Sequence, residues 1–293
     1  MPVGEFGPFK VSSVAAEVAS LLAQAMEGTA QAANSLLAAR GSEVAGEVLA
    51  MWRAVACEMH RDPLQRVPHL AMLFFNDTLF LLGTATRLMC RWQALLHRSG
   101  CLAPLASEVE QMRRLAFSQA NKQVVRHVSR LKALVVESQP LGKVRTASGA
   151  QRARAVVSEV GEELRSLARA WQPVLSKVHF AKFFGIVLDN VAGALFGQVM
   201  LLEAISIEEC EALGEVVAGL TAEGLAPFLA QGSPGEARGA QDERLQALLS
   251  RYARRWAKLC ELQTLFGANL RDIAARWERG RLRQLGFTAE ETA

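Results

Sequence analysis

The chain has 293 residues, of which 51% are hydrophobic, and its formal net charge is +4. A chain of this length with this many apolar residues can bury a sizeable core, so its composition excludes an intrinsically disordered protein. Aromatic residues account for 6% of the chain, whereas Ala, Leu, Glu and Arg are abundant. These preferences predict an all-α fold.

Cysteine usage and the N-terminal sequence bear on the cellular compartment. The cysteines include no CxxC pair; they are Cys57, Cys90, Cys101, Cys210 and Cys260. This spacing predicts neither a disulfide framework nor a zinc module, and it favours a reducing compartment. Residues 1–10 lack the charged and apolar regions of a secretory signal, and no later run is predicted to span a bilayer. We therefore expect a cytosolic protein.

The first part of the chain is predicted to form two amphipathic helices. The first runs from Val11 to Arg40; Gly41-Ser42 is expected to end it, with Ser42 capping a second helix that ends near His60. Apolar spacing predicts that the first helix buries Val14, Val18, Leu21, Leu22, Ala25 and Met26. The second is predicted to bury Val44, Val48, Met51, Trp52 and Val55.

A central helix follows the connector at Asp62-Pro63. Nearly every residue of Pro68–Leu82 is apolar, which predicts a helix surrounded by other helices and continuing to about His97. The polar run Asn76 to Thr78 interrupts it. Because a buried polar group without a hydrogen bond costs about 1–3 kcal/mol, we expect Asn76 and Asp77 to have internal partners rather than to form a site.

Further helices are predicted at Leu105–Val136, Arg152–Trp171 and Val174–Leu202. The first of these is expected to carry Lys122, Arg126 and Arg130 on its outer face. A loop at Gln139–Gln151 and a corner at Trp171-Gln172-Pro173 separate the three. The glycines expected to let a neighbouring helix approach closely are Gly185, Gly193 and Gly197.

The last third of the chain carries clear start and stop signals. Ser206 with Glu209 forms a capping box that predicts a helix start, and this helix is expected to fade near Gly224. Gln231–Gln241 is predicted to be a linker. Leu245–Trp277 is predicted to be helical with a break at Gly267. Its apolar stripe is Trp256, Leu259, Leu262, Leu265, Leu270, Ile273 and Trp277. Thr288 with Glu291 forms a second capping box.

These elements predict three successive helical regions, in either one elongated domain or two compact ones. N-terminal helices are expected at 1–62, a central helical bundle at 63–230 and C-terminal helices at 242–293, after the linker at 231–241. Charge is uneven along the chain. Arg113–Arg154 contains ten Lys or Arg and one acid, whereas 183–237 contains no Lys or Arg. The two stretches either face each other in the fold or each face a partner.

No sequence motif for nucleotide binding, metalloprotease or serine-hydrolase chemistry occurs, so we expect no catalytic, cofactor-binding or metal site. The nearest metal candidates are Cys57 with His60, and Cys90 with His97 and Cys101, and both sets are more typical of core residues. The isolated histidines, interpreted as structural, are His69, His127 and His179.

Two basic regions are candidate binding surfaces. A nucleic-acid-binding helical module that uses 113–154 is the alternative function, but the region lacks interleaved aromatic residues, so a solvated or partner-facing surface is favoured and nucleic acid is disfavoured. The second region is interpreted as the outer face of a helix; it comprises Arg251, Arg254, Arg255 and Lys258.

Several separated segments, taken in order, resemble the C-terminal region of the Zeste-white ten family of kinetochore and endoplasmic-reticulum vesicle-tether subunits. The segment 51–82 resembles the family's proline, leucine-rich entry and apolar helix with an Asn-Asp pair. The later segments are similar to a Trp-Gln-x-Val-Leu corner, a capping segment, an Ile-x-x-Arg-Trp-x-x-Gly run and the start of the last helix; they are 171–175, 203–209, 273–280 and 286–291.

The resemblance implies an elongated multi-helix rod of the multisubunit tethering complex type, without catalytic residues or cofactors. It implies docking onto a large α-solenoid partner, Rough Deal at kinetochores or the neuroblastoma-amplified sequence protein at the endoplasmic reticulum. A SNARE assembly would be held indirectly, and membrane association would be peripheral and through partners. The implied role is a scaffold in Golgi-to-endoplasmic-reticulum transport, with a kinetochore checkpoint duty as a second role.

Overall fold

The structure is a computed structural model that describes residues 10–30, 35–96, 102–138, 141, 144, 146–202, 205–229, 247 and 251–288. These residues form helices and turns without a strand, which confirms the predicted all-α fold. The helices are α1 (Ser13–Ala30), α2 (Ser35–Met59), α3 (Arg61–Arg66), α4 (Pro68–Leu96), α5 (Ala103–Ser138), α6 (Ala147–Trp171), α7 (Lys177–Val199), α8 (Ile207–Leu229), α9 (Arg254–Phe266), α10 (Leu270–Glu278) and α11 (Arg281–Gln284).

The chain divides into two compact units. Unit 1 comprises Met1–Gln123 with Ala170–Val178, and unit 2 comprises Val124–Arg169 with His179–Ala293. The division predicted from sequence, with parts at 1–62, 63–230 and 242–293, stays a prediction. Its linker at 231–241 lies outside the described residues.

In unit 1, α4 is the helix against which the others pack. α1 contacts both α2 and α4, and α3 also packs on α4. The shared core is apolar and contains Leu22, Met26, Leu49, Leu81, Leu88, Leu105 and Met112. The structure confirms the predicted central helix, because Phe75 and Leu81 within it are fully buried.

The predicted break at Gly41-Ser42 is wrong, because α2 runs through both residues. Ser42 is fully buried inside the helix instead of capping its start. An internal glycine costs about 1 kcal/mol relative to alanine, and the burial of Ala45 and Leu49 on the same helix outweighs that cost.

The predicted buried faces of the first two helices are partly wrong. α1 buries Ala15, Ala19, Leu22 and Met26 and exposes Val14 and Leu21. α2 buries Ala45, Leu49 and Ala56 and exposes Met51 and Val55. Leu22 and Met26 are buried as predicted, and Val18, Val48 and Trp52 pack on the core while partly buried. The neighbouring helices also pack on small alanines and leave several of the larger predicted residues outside.

In unit 2, α7 is the core helix. Phe180 and Phe184 stack with their ring centroids 5.1 Å apart, and Val187 and Leu188 are fully buried. With 23 residues, α7 is long and apolar enough to cross a membrane by length and composition alone, so the expectation that no run spans a bilayer stays a prediction. More than half of its apolar window is buried inside the fold, as in the core helix of a folded domain.

Two of the three glycines predicted to allow close packing on α7 do so. A Cβ on Gly185 would lie 2.7 Å from the Cβ of Tyr252, and one on Gly193 would lie 2.9 Å from the Cδ of Arg255. The same segment therefore crosses both positions. Among the described residues, no heavy atom lies within 4 Å of the Cβ position of Gly197, so the prediction is wrong there.

The capping box at the start of α8 is confirmed. The backbone NH of Ser206 donates to the Glu209 carboxylate at 2.7 Å, and the backbone NH of Glu209 donates to the Ser206 hydroxyl at 3.2 Å. The helix does not fade at Gly224 but continues to Leu229. Gly224 instead provides space for Trp256, whose Cζ2 lies 2.2 Å from the position of a Cβ there.

The remaining boundaries also differ in part from prediction. The loop predicted at Gln139–Gln151 ends earlier, because α6 already begins at Ala147. The Thr146 hydroxyl caps this helix by accepting from the NH of Gly149 at 3.0 Å. The corner at Trp171 is confirmed by the hydrogen bonds of Val174 and Leu175 to its carbonyl. α7 begins after this corner, at Lys177.

The helix predicted at Leu245–Trp277 is interrupted at two places among its described residues. Ala253 precedes α9, and Gly267 follows its end as predicted. The Asn269 side chain then caps α10 by accepting from the NH of Asp272 at 2.9 Å. Leu270 is 81% exposed, so its predicted place in the buried stripe is wrong. The second capping box, Thr288 with Glu291, stays a prediction, because Glu291 lies outside the described residues.

We expect Gly224→Ala to lower the free energy of unfolding by about 1–3 kcal/mol, because the new Cβ would force Trp256 from its site. The matched control is Gly219→Ala on the same helix, where no heavy atom of the part of the chain that the structure describes lies within 4 Å of the new Cβ. Alanine there should raise stability by about 0.5–1 kcal/mol through helix propensity. Urea unfolding followed by circular dichroism measures both, and equal midpoints would contradict the tight packing of Trp256 on α8.

Candidate functional site

The most connected polar group in unit 1 is the side chain of Asn76 on α4. It is 1% exposed, and its Nδ2 donates to the carbonyl of Val174 at 2.7 Å and to the carbonyl of Lys10 at 3.0 Å. One amide thereby connects the corner after α6 and the segment before α1 to the central helix. The expectation that Asn76 has internal partners is confirmed.

Asp77 makes the neighbouring connection. Its Oδ1 accepts from the backbone NH of Ser12 at 2.7 Å, while the Ser12 hydroxyl accepts from the NH of Ala15 at 3.2 Å and starts α1. Burial raises the pKa of Asp77 above its ordinary value of 3.8, although the hydrogen bonds from Ser12 act in the opposite direction. Asp77 is therefore a structural acceptor with its expected internal partner.

A second buried amide, Gln123, was not singled out in the sequence. Its Nε2 donates to the carbonyl of Leu64 and to that of Gln65, the latter at 3.2 Å. These carbonyls lie in the last turn of α3, where helix carbonyls have no intrahelical donor. Gln123 therefore closes a six-residue helix from α5. No local pattern could have revealed this, because the partners are 58 and 59 positions apart.

Cys57, Cys210 and Cys260 have environments unsuited to reactive chemistry. Burial raises the pKa of Cys57 and Cys210, and it raises the pKa of Cys260 to about 12, so these thiols are protonated at neutral pH. His60, the proposed companion of Cys57, is exposed, as is Cys90. Among the residues that the structure describes, no group of three or more His, Cys, Asp or Glu could hold a metal ion. His97 and Cys101 are outside those residues.

Two of the isolated histidines lie in the interior of unit 2, whereas His69 is exposed. Burial, reinforced by Lys182, lowers the pKa of His179 to about 4, and its ring stacks on Phe183 at 6.1 Å between centroids. Burial also lowers the pKa of His127, an effect that the nearby Glu163 partly offsets. Both are neutral at physiological pH, as expected of structural histidines.

The basic and acidic stretches meet within unit 2, where Arg154 pairs with Glu215 at 2.7 Å. Arg165, which follows the basic stretch, pairs with Glu223 at 3.2 Å, so both ion pairs join α6 to α8. Arg130 lies 3.5 Å from Glu163. The sequence left open whether these stretches face each other or face a partner, and part of their charge is satisfied internally.

Other cations of the basic stretch remain at the surface. Arg113 and Arg114 are exposed and both lie beside Glu110, 3.9 and 3.2 Å from its carboxylate. Lys122 and Arg126 are exposed on the outer face of α5, as predicted. Exposed ion pairs contribute little stability, so these residues form a solvated surface rather than a cluster of converging cations.

The second basic region is only partly an outer face. Arg251, Arg254 and Arg255 are exposed as predicted, but Lys258 is half-buried. Its Nζ lies 5.4 Å from the ring centroid of Phe196 and 5.1 Å from that of Phe287. This cation–π arrangement connects α9 to α7 and to the segment after α11, and its aromatic partners are too distant in sequence to be predicted.

The two amides and one carboxylate of unit 1 are therefore structural connections, without the convergent reactive groups of an active site. We expect Asn76→Asp to destabilise the chain by about 2–3 kcal/mol at neutral pH, because it places a carboxylate against two carbonyl oxygens. Asn121→Asp at an exposed position of α5 is the matched control. Chemical unfolding measures the difference, and similar losses in the two variants would contradict the role of Asn76.

The pH dependence of the stability of Asp77→Asn tests the direction in which burial shifts the pKa of Asp77. A raised pKa in the folded state gives a contribution to stability that is present below pH 3.8 and is lost as pH rises through the folded pKa. The free energy of unfolding of the wild type, minus that of the variant, should therefore fall as pH rises above 3.8. The control for removing one carboxylate is Asp62→Asn at an exposed site. A difference that rises with pH would contradict the assigned direction.

Comparison with known proteins identifies the family. A family model described as "Centromere/kinetochore protein zw10, C-terminal" matches residues 9–133, and one described as "ZW10 C-terminal helical domain" matches residues 155–293. Two curated relatives are named "Centromere/kinetochore protein zw10 homolog": the Rattus norvegicus protein is 23% identical and the Mus musculus protein 22% identical over 224 residues. Each alignment covers 76% of this chain but 28% of the relative. The chain therefore belongs to the ZW10 family, of which it represents the C-terminal region.

Proposed function

We propose that the chain is a non-enzymatic scaffold that joins protein partners in a vesicle-tethering complex, with a kinetochore complex as its second setting. The observation that carries this proposal is the match of two consecutive ZW10 C-terminal models, which together span most of the chain. The relatives' printed names refer to the centromere and kinetochore.

The residues that carry the family resemblance support a mechanical role. Asn76 and Asp77 hold two distant backbone segments, the Trp171 corner receives two backbone hydrogen bonds, and Ser206 caps a helix. Each acts on the main chain of this protein. Their combined effect is a defined arrangement of helices within each unit, which is what a scaffold requires and which needs no cofactor.

In the proposed mechanism the chain docks onto a large α-solenoid subunit, of the neuroblastoma-amplified sequence type at the endoplasmic reticulum or the Rough Deal type at kinetochores. The partner connects it to a SNARE assembly, so membrane association is peripheral and indirect. The chain is then cytoplasmic, with a population at the endoplasmic reticulum and another at kinetochores in mitosis, and its transport role is Golgi to endoplasmic reticulum.

The nucleic-acid alternative receives less support from the charges. Arg130 and Arg154, within the basic stretch, are engaged by acidic residues of unit 2. Each cation held by a carboxylate must exchange that partner for a phosphate before it contributes to binding. No aromatic ring of the described residues interleaves with the exposed Lys122 and Arg126 on the outer face of α5.

The proposal is tested by affinity purification of the tagged chain from its own cells, with quantitative mass spectrometry at moderate salt. We expect recovery of a large α-solenoid subunit together with endoplasmic-reticulum SNAREs. Gly219→Ala should recover the same proteins, whereas Gly224→Ala, which disturbs the packing of Trp256, should recover at least about threefold less, since a destabilisation of about 1–2 kcal/mol lowers the cellular abundance of a protein several-fold.

Two results would contradict the proposal that the chain is a scaffold. One is recovery of nucleic acid with partners that nuclease treatment releases, which would favour the basic surface of α5. The other is a monodisperse chain with no protein recovered even after crosslinking at both interphase and mitosis.

A further inference from the structure

Three arginines lie together on the surface of unit 2, at the start of α9. Arg251, Arg254 and Arg255 are all exposed, and we call them the arginine cluster. Among the residues that the structure describes, no hydrogen bond or ion pair engages any of the three guanidinium groups. The cluster is therefore a concentration of positive charge that the described structure leaves without a bound carboxylate.

Packing on α7 fixes the position of the cluster. The guanidinium carbon of Arg251 lies 5.2 Å from the ring centroid of Tyr252. The Arg255 side chain lies over Gly193, where a Cβ would be 2.9 Å from its Cδ and 3.0 Å from its Nη1. The backbone NH of Arg255 also donates to Oδ1 of Asp189 on α7 at 2.7 Å. Close packing, and not a charged partner, therefore places the Arg255 guanidinium.

The carboxylates on the helices around the cluster have other partners. Asp189 is the one carboxylate of α7, and it accepts from the backbone NH of Arg255. On α8, Glu223 pairs with Arg165 of α6 at 3.2 Å. Within α9 itself, Glu261 pairs with an arginine of α10. Asp189 offsets part of the positive charge, but three arginines exceed one carboxylate.

The remaining carboxylates of α8 lie toward the opposite end of α9. Gly224, near the end of α8, packs against Trp256, whereas Gly214, nearer its start, packs against Phe266. α8 therefore runs antiparallel to α9, and its first turns are about 16 Å along α9 from Arg255. The carboxylates of those turns, which do not surround the cluster, are Glu208, Glu209 and Glu211.

α10 adds no excess of negative charge around the cluster. Its exposed carboxylates, Asp272 and Glu278, are matched by the exposed Arg271 and by Arg279 at its C-terminal end. Lys258, in the second turn of α9, adds a further positive charge. The charges that surround the cluster in the described structure therefore leave it net positive, which favours an anionic partner.

Folding does not account for the cluster. Arg254 and Arg255 lie in the first turn of α9, where the helix dipole disfavours cations. Arg251 brings a third like charge within one turn of them, which is also unfavourable. Because these exposed charges do not stabilise the helix that carries them, they are suited to a partner of opposite charge.

The side chains beside the cluster favour a protein over a nucleic acid or a membrane. Base stacking needs a free aromatic face, whereas Tyr252 is half-buried, with Arg251 against its ring and its Cβ against Gly185. Insertion into a bilayer needs exposed large apolar side chains, and none of those on α9 is exposed. A carboxylate-rich protein surface requires neither feature.

We propose that the arginine cluster docks an acidic helix of a partner protein whose Glu or Asp side chains lie one turn apart. Arg251 and Arg255 are four positions apart, on either side of Ala253, so two such carboxylates can reach them together. A planar guanidinium that packing keeps in place matches the two oxygens of a carboxylate. The inference deepens the proposed scaffold role and rests on it only for the existence of a protein partner.

The test uses the full purified chain and a labelled 20-residue synthetic helix of Ala and Gln with pairs of Glu four positions apart, measured by fluorescence anisotropy. Two comparison peptides replace every Glu by Gln or by Lys. We expect the Glu peptide to bind with an affinity that falls with salt, the Gln peptide to bind at least about tenfold more weakly, and the Lys peptide not to bind.

Substitutions that remove charge locate the site. Arg254→Gln together with Arg255→Gln should weaken binding of the Glu peptide about tenfold or more. The matched control is the same pair of changes at Arg113 and Arg114, which are exposed on α5 beside Glu110. It removes equal charge from unit 1 and should change the affinity by less than about twofold.

Substitutions that keep the charge test the geometry. Gly193→Ala displaces Arg255, because the new Cβ would lie 2.9 Å from its Cδ, and should weaken the Glu peptide about threefold or more. Gly197→Ala on the same helix, where no described heavy atom lies within 4 Å, should have no effect. Arg255→Lys, which keeps the charge but lacks the planar fork, should reproduce the loss without a change on α7. Unchanged thermal unfolding confirms that each variant is folded.

Four outcomes would overturn the proposal. The first two are equal binding of the Glu and Gln peptides, and equal losses from the substitutions on α5 and on α9. The third is binding of phosphatidylserine vesicles or single-stranded RNA that the α9 substitutions abolish while the Glu peptide is unaffected. The fourth is self-association in the ultracentrifuge that the same substitutions abolish, which would assign the cluster to a second copy. Because only the purified chain and peptides are used, such a failure leaves the scaffold role to its own test by affinity purification.

Discussion

The two hydrogen bonds donated by Asn76 Nδ2 are the interaction on which the arrangement of unit 1 depends most. They reach carbonyls 66 and 98 positions away in the sequence, at Lys10 and Val174. A primary amide is suited to this because one nitrogen carries two donors, which two carbonyls can share. An apolar residue of the same size would remove both donors and leave the Val174 carbonyl with the longer hydrogen bond from the NH of Lys10, at 3.4 Å. The polar interruption of α4 is therefore a requirement of the fold and not a defect in it.

The same principle recurs with Asp77 and Gln123. Each is a buried polar side chain on a long helix, and each hydrogen-bonds the main chain of a segment that cannot complete its own hydrogen bonds: the start of α1 and the end of the six-residue α3. Such connections fix which helix ends meet, whereas apolar packing tolerates many alternatives. A protein that acts by presenting surfaces at fixed positions needs this specificity more than it needs a reactive group.

Charged side chains, in contrast, join two helices of unit 2. Arg154 and Arg165 of α6 pair with Glu215 and Glu223 of α8. Part of the positive charge of α6 is therefore neutralised by ion pairs that join the two helices.

Local signals in the sequence were sufficient for most element types. The capping box of Ser206, the corner at Trp171, the all-apolar central helix and the break at Gly267 each depend on residues within a few positions of one another. Backbone hydrogen bonds, caps and restricted glycine conformations act at that range, so the sequence itself determines where such helices begin and end. It also determined that Asn76 and Asp77 needed internal partners.

Only the tertiary structure decided the rest. Gly41 and Gly224 look alike in sequence as helix breakers, yet α2 and α8 run through them because burial of Leu49 and close packing of Trp256 outweigh the local preference. The buried faces of α1 and α2, the partners of Gln123 and the cation–π contacts of Lys258 likewise involve atoms many positions apart. Local preferences of about 1 kcal/mol are smaller than the free energy of burying a side chain, so packing determines these features.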